Sequence, residues 1–354
     1  MRKKHFLFAS VLALLCGSST LHAQDFKLTS SGYFKNQGVD VMAFDDIYPE
    51  GHQGGVCIIM NGHRVATNGD IRLEATPGQW QPVPKQLDRK LGDNSITATL
   101  CYPDSSRHLT GFNPMIYPDL HLIYTVNVES KGKNIEVTVD LDRPIPQEFI
   151  GKVGFNLEFF PGSLFGKPWI MDGQSGIFPQ QPNSPLMTTQ PNYLHTGNYH
   201  DGKQSLADMD KLIGKGYSPI VADDIISEPY AKGTKFTSRP DDPYNKVTIE
   251  SLSGDLQLFD GRMNHNNGWF VLRSNIKPGV TKGAVKWIIT PNVVADWMYQ
   301  PVIQTSQIGY HPTQDKEAVI EMDIRDNRKE TAQIIRIDAD GEKQESMFTE
   351  GATI

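Results

Sequence analysis

Three cysteines in 354 residues are too few to staple a fold. Cys16 falls in the leading segment, which leaves Cys57 and Cys101. Both sit in strand-like runs, as a disulfide partnership or as two buried thiols that act as small hydrophobes. After Leu15 no run approaches the ~18 apolar residues of a membrane helix, so no membrane span is expected. Lysines and arginines form no runs interleaved with aromatics, and the formal net charge is −7; nucleic acid and other polyanions are excluded as partners. There is no Gly-rich phosphate loop and no Gly-x-Ser-x-Gly elbow. His195 and His200, with Asp201 beside them, stand in a Gly/Asn-rich loop without a third ligand, and His265 lies in the turn-like run from Asn264 to Gly268. Solvated loop histidines are the reading that follows, with no metal and no cofactor.

What is present begins with an export signal. Arg2, Lys3 and Lys4 precede an apolar core from Phe6 to Leu15 that is too short to cross a bilayer. Cleavage after Ala23 makes residues 1–23 a signal peptide and sends the chain to the periplasm, the cell surface or the medium. Cys16 raises lipidation as an alternative, although Leu15 stands where a small residue would precede a lipidated cysteine.

From Asp25 to about Trp297 the pattern is β. The strongest strands are Val56–Met60, Ser95–Tyr102, His121–Glu129, Asn134–Asp140, Val153–Phe159, Val247–Ser251, Asp255–Phe259, Trp269–Arg273 and Ala284–Ile289. Most alternate apolar with polar residues: Ile135, Val137, Val139 and Leu141 face one way, Glu136, Thr138 and Asp140 the other. Ser130-Lys131-Gly132-Lys133 reads as a hairpin turn. Helix is scarce, with one capped segment expected from Ser205 through Leu212. The fold class is therefore all-β: a large antiparallel β-sandwich over residues 24–298, whose size resembles the supersandwich of galactose-mutarotase-like proteins. Beyond Trp297-Met298-Tyr299-Gln300-Pro301, further strands are expected at Ala318–Met322, Gln333–Ile337 and Glu345–Phe348. Asp338-Ala339-Asp340-Gly341 reads as a turn between the last two, with a calcium loop as the alternative.

The run Gln307-Ile308-Gly309-Tyr310-His311-Pro312, followed by Lys316-Glu317-Ala318-Val319-Ile320, resembles the start of the immunoglobulin-like domain that precedes the catalytic barrel of family 9 glycoside hydrolases, the cellulase-type enzymes. The resemblance implies that residues 299–354 are a truncated immunoglobulin-like sandwich, since such a domain needs about seven strands in roughly 100 residues. It further implies a parent enzyme that hydrolyses β-glucan-type plant polysaccharides by inversion, with a missing C-terminal catalytic domain. The paired carboxylates of that chemistry have no counterpart here, so no catalytic residue is assigned.

The other candidate region is Phe160–Gly202, rich in Pro, Gly, Asn and Gln and without clear secondary structure. Trp169, Phe178 and Tyr193 offer flat faces for a sugar ring, and Asp172 offers a hydrogen-bonding carboxylate, which makes these four the candidate contacts for a polysaccharide or oligosaccharide. A long packed loop covering a sheet is the structural alternative. Two further readings of function stand beside the family 9 one. One is a stand-alone surface glycan-binding protein; the other is a mutarotase- or lyase-like enzyme that uses the large sandwich itself.

Overall fold

The computed structural model describes residues 25–45, 55–74, 76–77, 84–102, 120–182, 186–187, 226–263, 268–327 and 332–348. The chain divides into two units, Met1–Asp296 and Trp297–Ile354. In chain order the first unit carries β1 (Lys27–Leu28), β2 (Phe34–Asn36), β3 (Val39–Ala43), β4 (Val56–Met60), β5 (His63–Leu73), β6 (Lys85–Leu91) and β7 (Ser95–Cys101). There follow β8 (Ile123–Lys131), β9 (Asn134–Leu141), β10 (Val153–Phe159), β11 (Pro168–Met171), β12 (Gln174–Ile177), β13 (Leu186–Met187) and β14 (Ile226–Ser227). The unit closes with β15 (Ala231–Gly233), β16 (Lys235–Ser238), β17 (Val247–Ser251), β18 (Leu256–Asp260), β19 (Phe270–Asn275) and β20 (Val285–Pro291).

Eighteen of these strands build two nine-stranded antiparallel sheets, and β13 and β14 pair with each other apart from them. The first runs β1-β2-β3-β4-β5-β10-β19-β18-β15 and the second β12-β11-β16-β17-β20-β9-β8-β7-β6. The protein is an all-β sandwich. Its second sheet follows the alternation rule. Ile135, Val137 and Val139 of β9 lie opposite Ile289, Trp287 and Val285 of β20 and are fully buried, while Glu136 and Thr138 face outward beside Ile288 and Lys286. Lys131 pairs with Asn134 across Gly132, whose φ of 66° closes the β8–β9 hairpin without a Cβ clash.

Aromatic side chains join the sheets. Phe155 of β10 meets Trp287 edge-on at 5.0 Å, Phe159 meets Phe236 of β16 at 5.8 Å, and the Trp287 indole N–H donates to Ser274 Oγ at 3.0 Å. Each such ring contributes on the order of 1.5–3 kcal/mol of burial. Cys57 lies on β4 and Cys101 on β7, in different sheets, and they are not bonded to each other.

One expectation shifts in the span 160–202. Pro168–Met171 and Gln174–Ile177 form a hairpin on the edge of the second sheet, where the sequence pattern suggests unstructured loop. The run is short and opens on a proline, which the first position of a strand tolerates and its interior does not. The helix expected from Ser205 lies outside the described residues.

The second unit holds two hairpins, β21 (Val302–Gln304) with β22 (Val319–Glu321) and β23 (Ala332–Asp338) with β24 (Gly341–Phe348). Asp338 pairs with Gly341 across the anticipated turn, and Gly341 has φ 109°. Gly309, with φ 80°, donates its N–H to Ser306 in a tight turn. Val302, Ile303, Val319 and Ile337 are exposed.

Candidate active site on the central strands

The middle of the first sheet breaks the alternation rule. All seven residues of β10 are buried, as are those of β5 from Val65 to Leu73 and those of β19 from Phe270 to Ser274. A strand covered on both faces is usually apolar throughout. Here the polar positions stay polar: Asn68, Asp70 and Arg72 on β5, Glu74 just after it, Asn156 and Glu158 on β10, and Arg273 on β19. Register brings them together, with Asn156 opposite Asp70 on one side and Arg273 on the other, and Gly154 opposite Arg72.

Arg273 organises one end of the cluster. Its Nη1 reaches Glu74 Oε1 and Asn156 Oδ1, both at 3.3 Å, its Nη2 donates to the Glu74 carbonyl at 3.0 Å, and its Nε donates to Asn275 Oδ1 at 2.7 Å. Asn156 Nδ2 adds a 2.6 Å bond to Glu74 Oε1. The guanidinium lies across β10 because position 154 is glycine; a Cβ there would stand 2.8 Å from Arg273 Nε. Burial pushes the Glu74 carboxyl up to about 7 despite the attraction of Arg273 and Arg72. Burial also pulls Arg273 below its ordinary value, against the pull of Glu74.

The other end is built by a bulge. Asn68 has φ 56°, a left-handed conformation that asparagine tolerates better than most residues. Gly69 follows, and a Cβ there would stand 2.6 Å from the Cβ of Val56 on β4. The register slips between Asn156 and Glu158 at this point. Asn68 Nδ2 donates to Glu158 Oε2 at 2.5 Å. Asp70 Oδ1 accepts from the Ile71 N–H at 2.7 Å and from the Tyr124 hydroxyl, which reaches over from β8, at 2.9 Å. Burial raises Asp70 to about 6, with Arg72 pulling the other way. Burial works against the charge of Arg72, but Glu158 and Asp70 outweigh it and hold the group protonated. Asn68 Oδ1, Asp70 Oδ2 and Arg72 Nε have no hydrogen-bond partner among the described residues.

Two carboxyls poised near neutrality, two guanidiniums and two amides make a set capable of proton transfer on a polar ligand. No histidine joins the cluster among the described residues, and His195, His200 and His265 lie outside them.

No family model matches this chain. No curated protein matches it either. Several solved structures align over most of it, among them the following two. One is the Slr1438 protein from Synechocystis sp. PCC 6803, 11% identical, covering 76% of this chain and 96% of that one with a TM-score of 0.32. The other is a galactose mutarotase related enzyme from Lactobacillus acidophilus, 9% identical, covering 73% and 96% with a TM-score of 0.34. The reading as the N-terminal region of a family 9 glycoside hydrolase, with its cellulase class, is corrected: no family model matches the chain, that of family 9 included. The resemblance rests on one short turn-forming run in the second unit. Glycine, proline and an anchoring tyrosine in that order satisfy the local demands of a turn in many folds.

The four residues proposed from sequence as sugar contacts are placed as follows. Trp169 is 6% exposed, with Gly176 directly against its indole, and Phe178 is fully buried against Phe270, ring centres 4.8 Å apart. Asp172 accepts from the Thr234 and Lys235 backbone N–H groups at 2.5 and 3.0 Å, and these bonds hold its carboxyl below the ordinary range. Tyr193 lies outside the described residues. The structure brings Trp169 and Asp172 onto one hairpin. The central cluster escapes sequence reasoning because alternation assigns Asn156 and Glu158 to a solvent face. The available signal was β5 itself, where Asn-Gly interrupts a strand and Asp, Arg and Glu then recur at every second position.

Proposed function

We propose that the sandwich is a mutarotase-like enzyme that moves protons on a sugar ring, with Asp70 and Glu74 as its acid–base pair. The observation that carries this reading is the buried cluster on β5, β10 and β19, which holds polar atoms without partners among the described residues beside two carboxyls raised towards neutrality. Asp70, the more acidic of the two, takes the proton of the anomeric hydroxyl. Glu74 gives its proton to the ring oxygen as the bond from the anomeric carbon to that oxygen breaks. The open-chain aldehyde forms, its carbonyl rotates, and the reverse transfers close the ring on the other anomer. Protons and electrons balance without a cofactor. Asp70 and Glu74 lie two residues to either side of Arg72, roughly 13 Å apart along the strand at ~3.3 Å per residue, with the Arg72 side chain on the same face between them. The charge of Arg72 favours the ionised form of each.

This reading places the ligand at the central strands and not at Trp169. The export signal expected at residues 1–23 belongs to the same proposal and puts the reaction outside the cytoplasm. Polarimetry of freshly dissolved α-D-glucose at pH 7 in dilute buffer tests it. The protein should accelerate equilibration, and Asp70→Asn or Glu74→Gln should remove about 10²-fold or more of that acceleration. Equilibration at the buffer rate with the folded wild-type protein would overturn the reading.

A further inference from the structure

The mechanism above uses Asp70 and Glu74 and leaves unexplained why three neighbouring side chains each present a buried atom without a partner. Asn68 has its amide nitrogen committed to Glu158, and only the nitrogen can donate to a carboxylate, so the Asn68 carbonyl oxygen is the open end. Asp70 has Oδ1 saturated by two donors and Oδ2 open. Arg72 is held by the charges of Glu158 and Asp70, with Nε open. The three are linked: Asn68 bonds Glu158, and Glu158 and Asp70 are the two carboxylates that act most strongly on Arg72. A buried polar atom left unpaired costs about 1–3 kcal/mol, so a cluster of three calls for a ligand that pairs them.

We propose that Asn68 Oδ1, Asp70 Oδ2 and Arg72 Nε form a hydroxyl-reading subsite that selects a neutral aldopyranose over an anionic one. The set offers two acceptors and one donor. Adjacent ring hydroxyls match it, since each hydroxyl both donates and accepts. Charge selects against anionic sugars. Three carboxyls, Asp70, Glu74 and Glu158, surround two guanidiniums, Arg72 and Arg273, and Arg273 is already engaged by Glu74, Asn156 and Asn275. A further carboxylate or phosphate brought into this buried site would meet like charge without a spare cation. The local backbone serves the arrangement, because the left-handed Asn68 sets the bulge from which these side chains project.

The inference rests on the cluster being a sugar site but not on the ring-opening step. Methyl α-D-glucopyranoside keeps the ring hydroxyls and cannot open, so its binding separates the two. Calorimetric titration of the mature chain with this glycoside should give saturable binding, with D-glucuronate bound at least tenfold more weakly. Arg72→Lys, which keeps the positive charge and removes Nε, should weaken glycoside binding about tenfold at an unchanged melting temperature. Asn68→Ala should weaken it as well, at a lower melting temperature, because the buried bond to Glu158 is lost and alanine tolerates the left-handed backbone poorly. Absence of glycoside binding by the wild-type protein would overturn the subsite even if polarimetry shows acceleration. Equal binding by Arg72→Lys and Asn68→Ala, or tighter binding of glucuronate, would overturn it too. Binding as expected without faster mutarotation would sustain the subsite and sink the acid–base mechanism alone.

Discussion

The two sheets of the sandwich are equal in strand number and opposite in character. On the second, charged side chains stand in water: Lys286 pairs with Glu136 at 3.2 Å, Lys282 with Asp140 at 3.0 Å and Lys235 with Glu250 at 3.8 Å. On the first, the Arg273–Glu74 pair is 3.3 Å long with both side chains 1% exposed. The same chemical partnership therefore does different things in the two places. Outward pairs in water contribute little, because solvent already stabilises each charge. A pair removed from water holds only while every member is present, and its carboxyls no longer titrate where carboxyls ordinarily do. The second sheet is a wall, whereas the middle of the first buries its charged groups.

The largest expected effect breaks that contrast at its inner end. Arg273→Ala leaves Glu74 buried without its cation and should lower the unfolding free energy by about 3–5 kcal/mol, read from urea denaturation at pH 7. A loss under 1 kcal/mol would mean that the cluster is open to solvent.

A pH series gives a smaller effect and sharpens the same contrast. Glu74 rises from 4.5 to about 7 and Asp70 from 3.8 to about 6 on folding, burial being the main cause. The folded state then holds these two protons more tightly than the unfolded state does. Their contribution is fully present below pH 4 and is lost as pH climbs to about 7, with a slope approaching ~1.4 kcal/mol per pH unit for each group. Stability should fall across this window in the wild-type protein and fall less steeply in Glu74→Gln. Parallel curves would place the ionisation elsewhere.

The smallest effect lies on the outer wall. Lys286→Ala should change stability by about 0–1 kcal/mol, and 1 M salt should erase even that. A larger loss would show that the outer face of the second sheet is covered by something.

Much of the fold is legible from residue order. Ile135, Val137 and Val139 alternate with Glu136 and Thr138, and the structure buries the first set fully and the second only in part. The Gly132 and Gly341 turns fall where hairpins were expected. β5 was not legible, because Asn68-Gly69 interrupts its pattern and its polar residues are as buried as its apolar ones. The β11–β12 hairpin was missed for lack of length. Trp169 and Phe178 look like exposed platforms in a polar stretch, yet their neighbours in space, Gly176 and Phe270, take up their faces.

The sequence by itself determined the all-β class and the hairpins at Gly132 and Gly341, since both follow from contacts between residues close along the chain. Tertiary structure alone decided which polar residues became a site. Alternation reports a strand with one face in water, whereas β5, β10 and β19 have both faces covered. The partners that make their charges tolerable come from afar: Arg273 and Glu74 are 199 residues apart, and Asn68 and Glu158 are 90 apart. Only the order in which the strands assemble brings those residues within hydrogen-bonding distance.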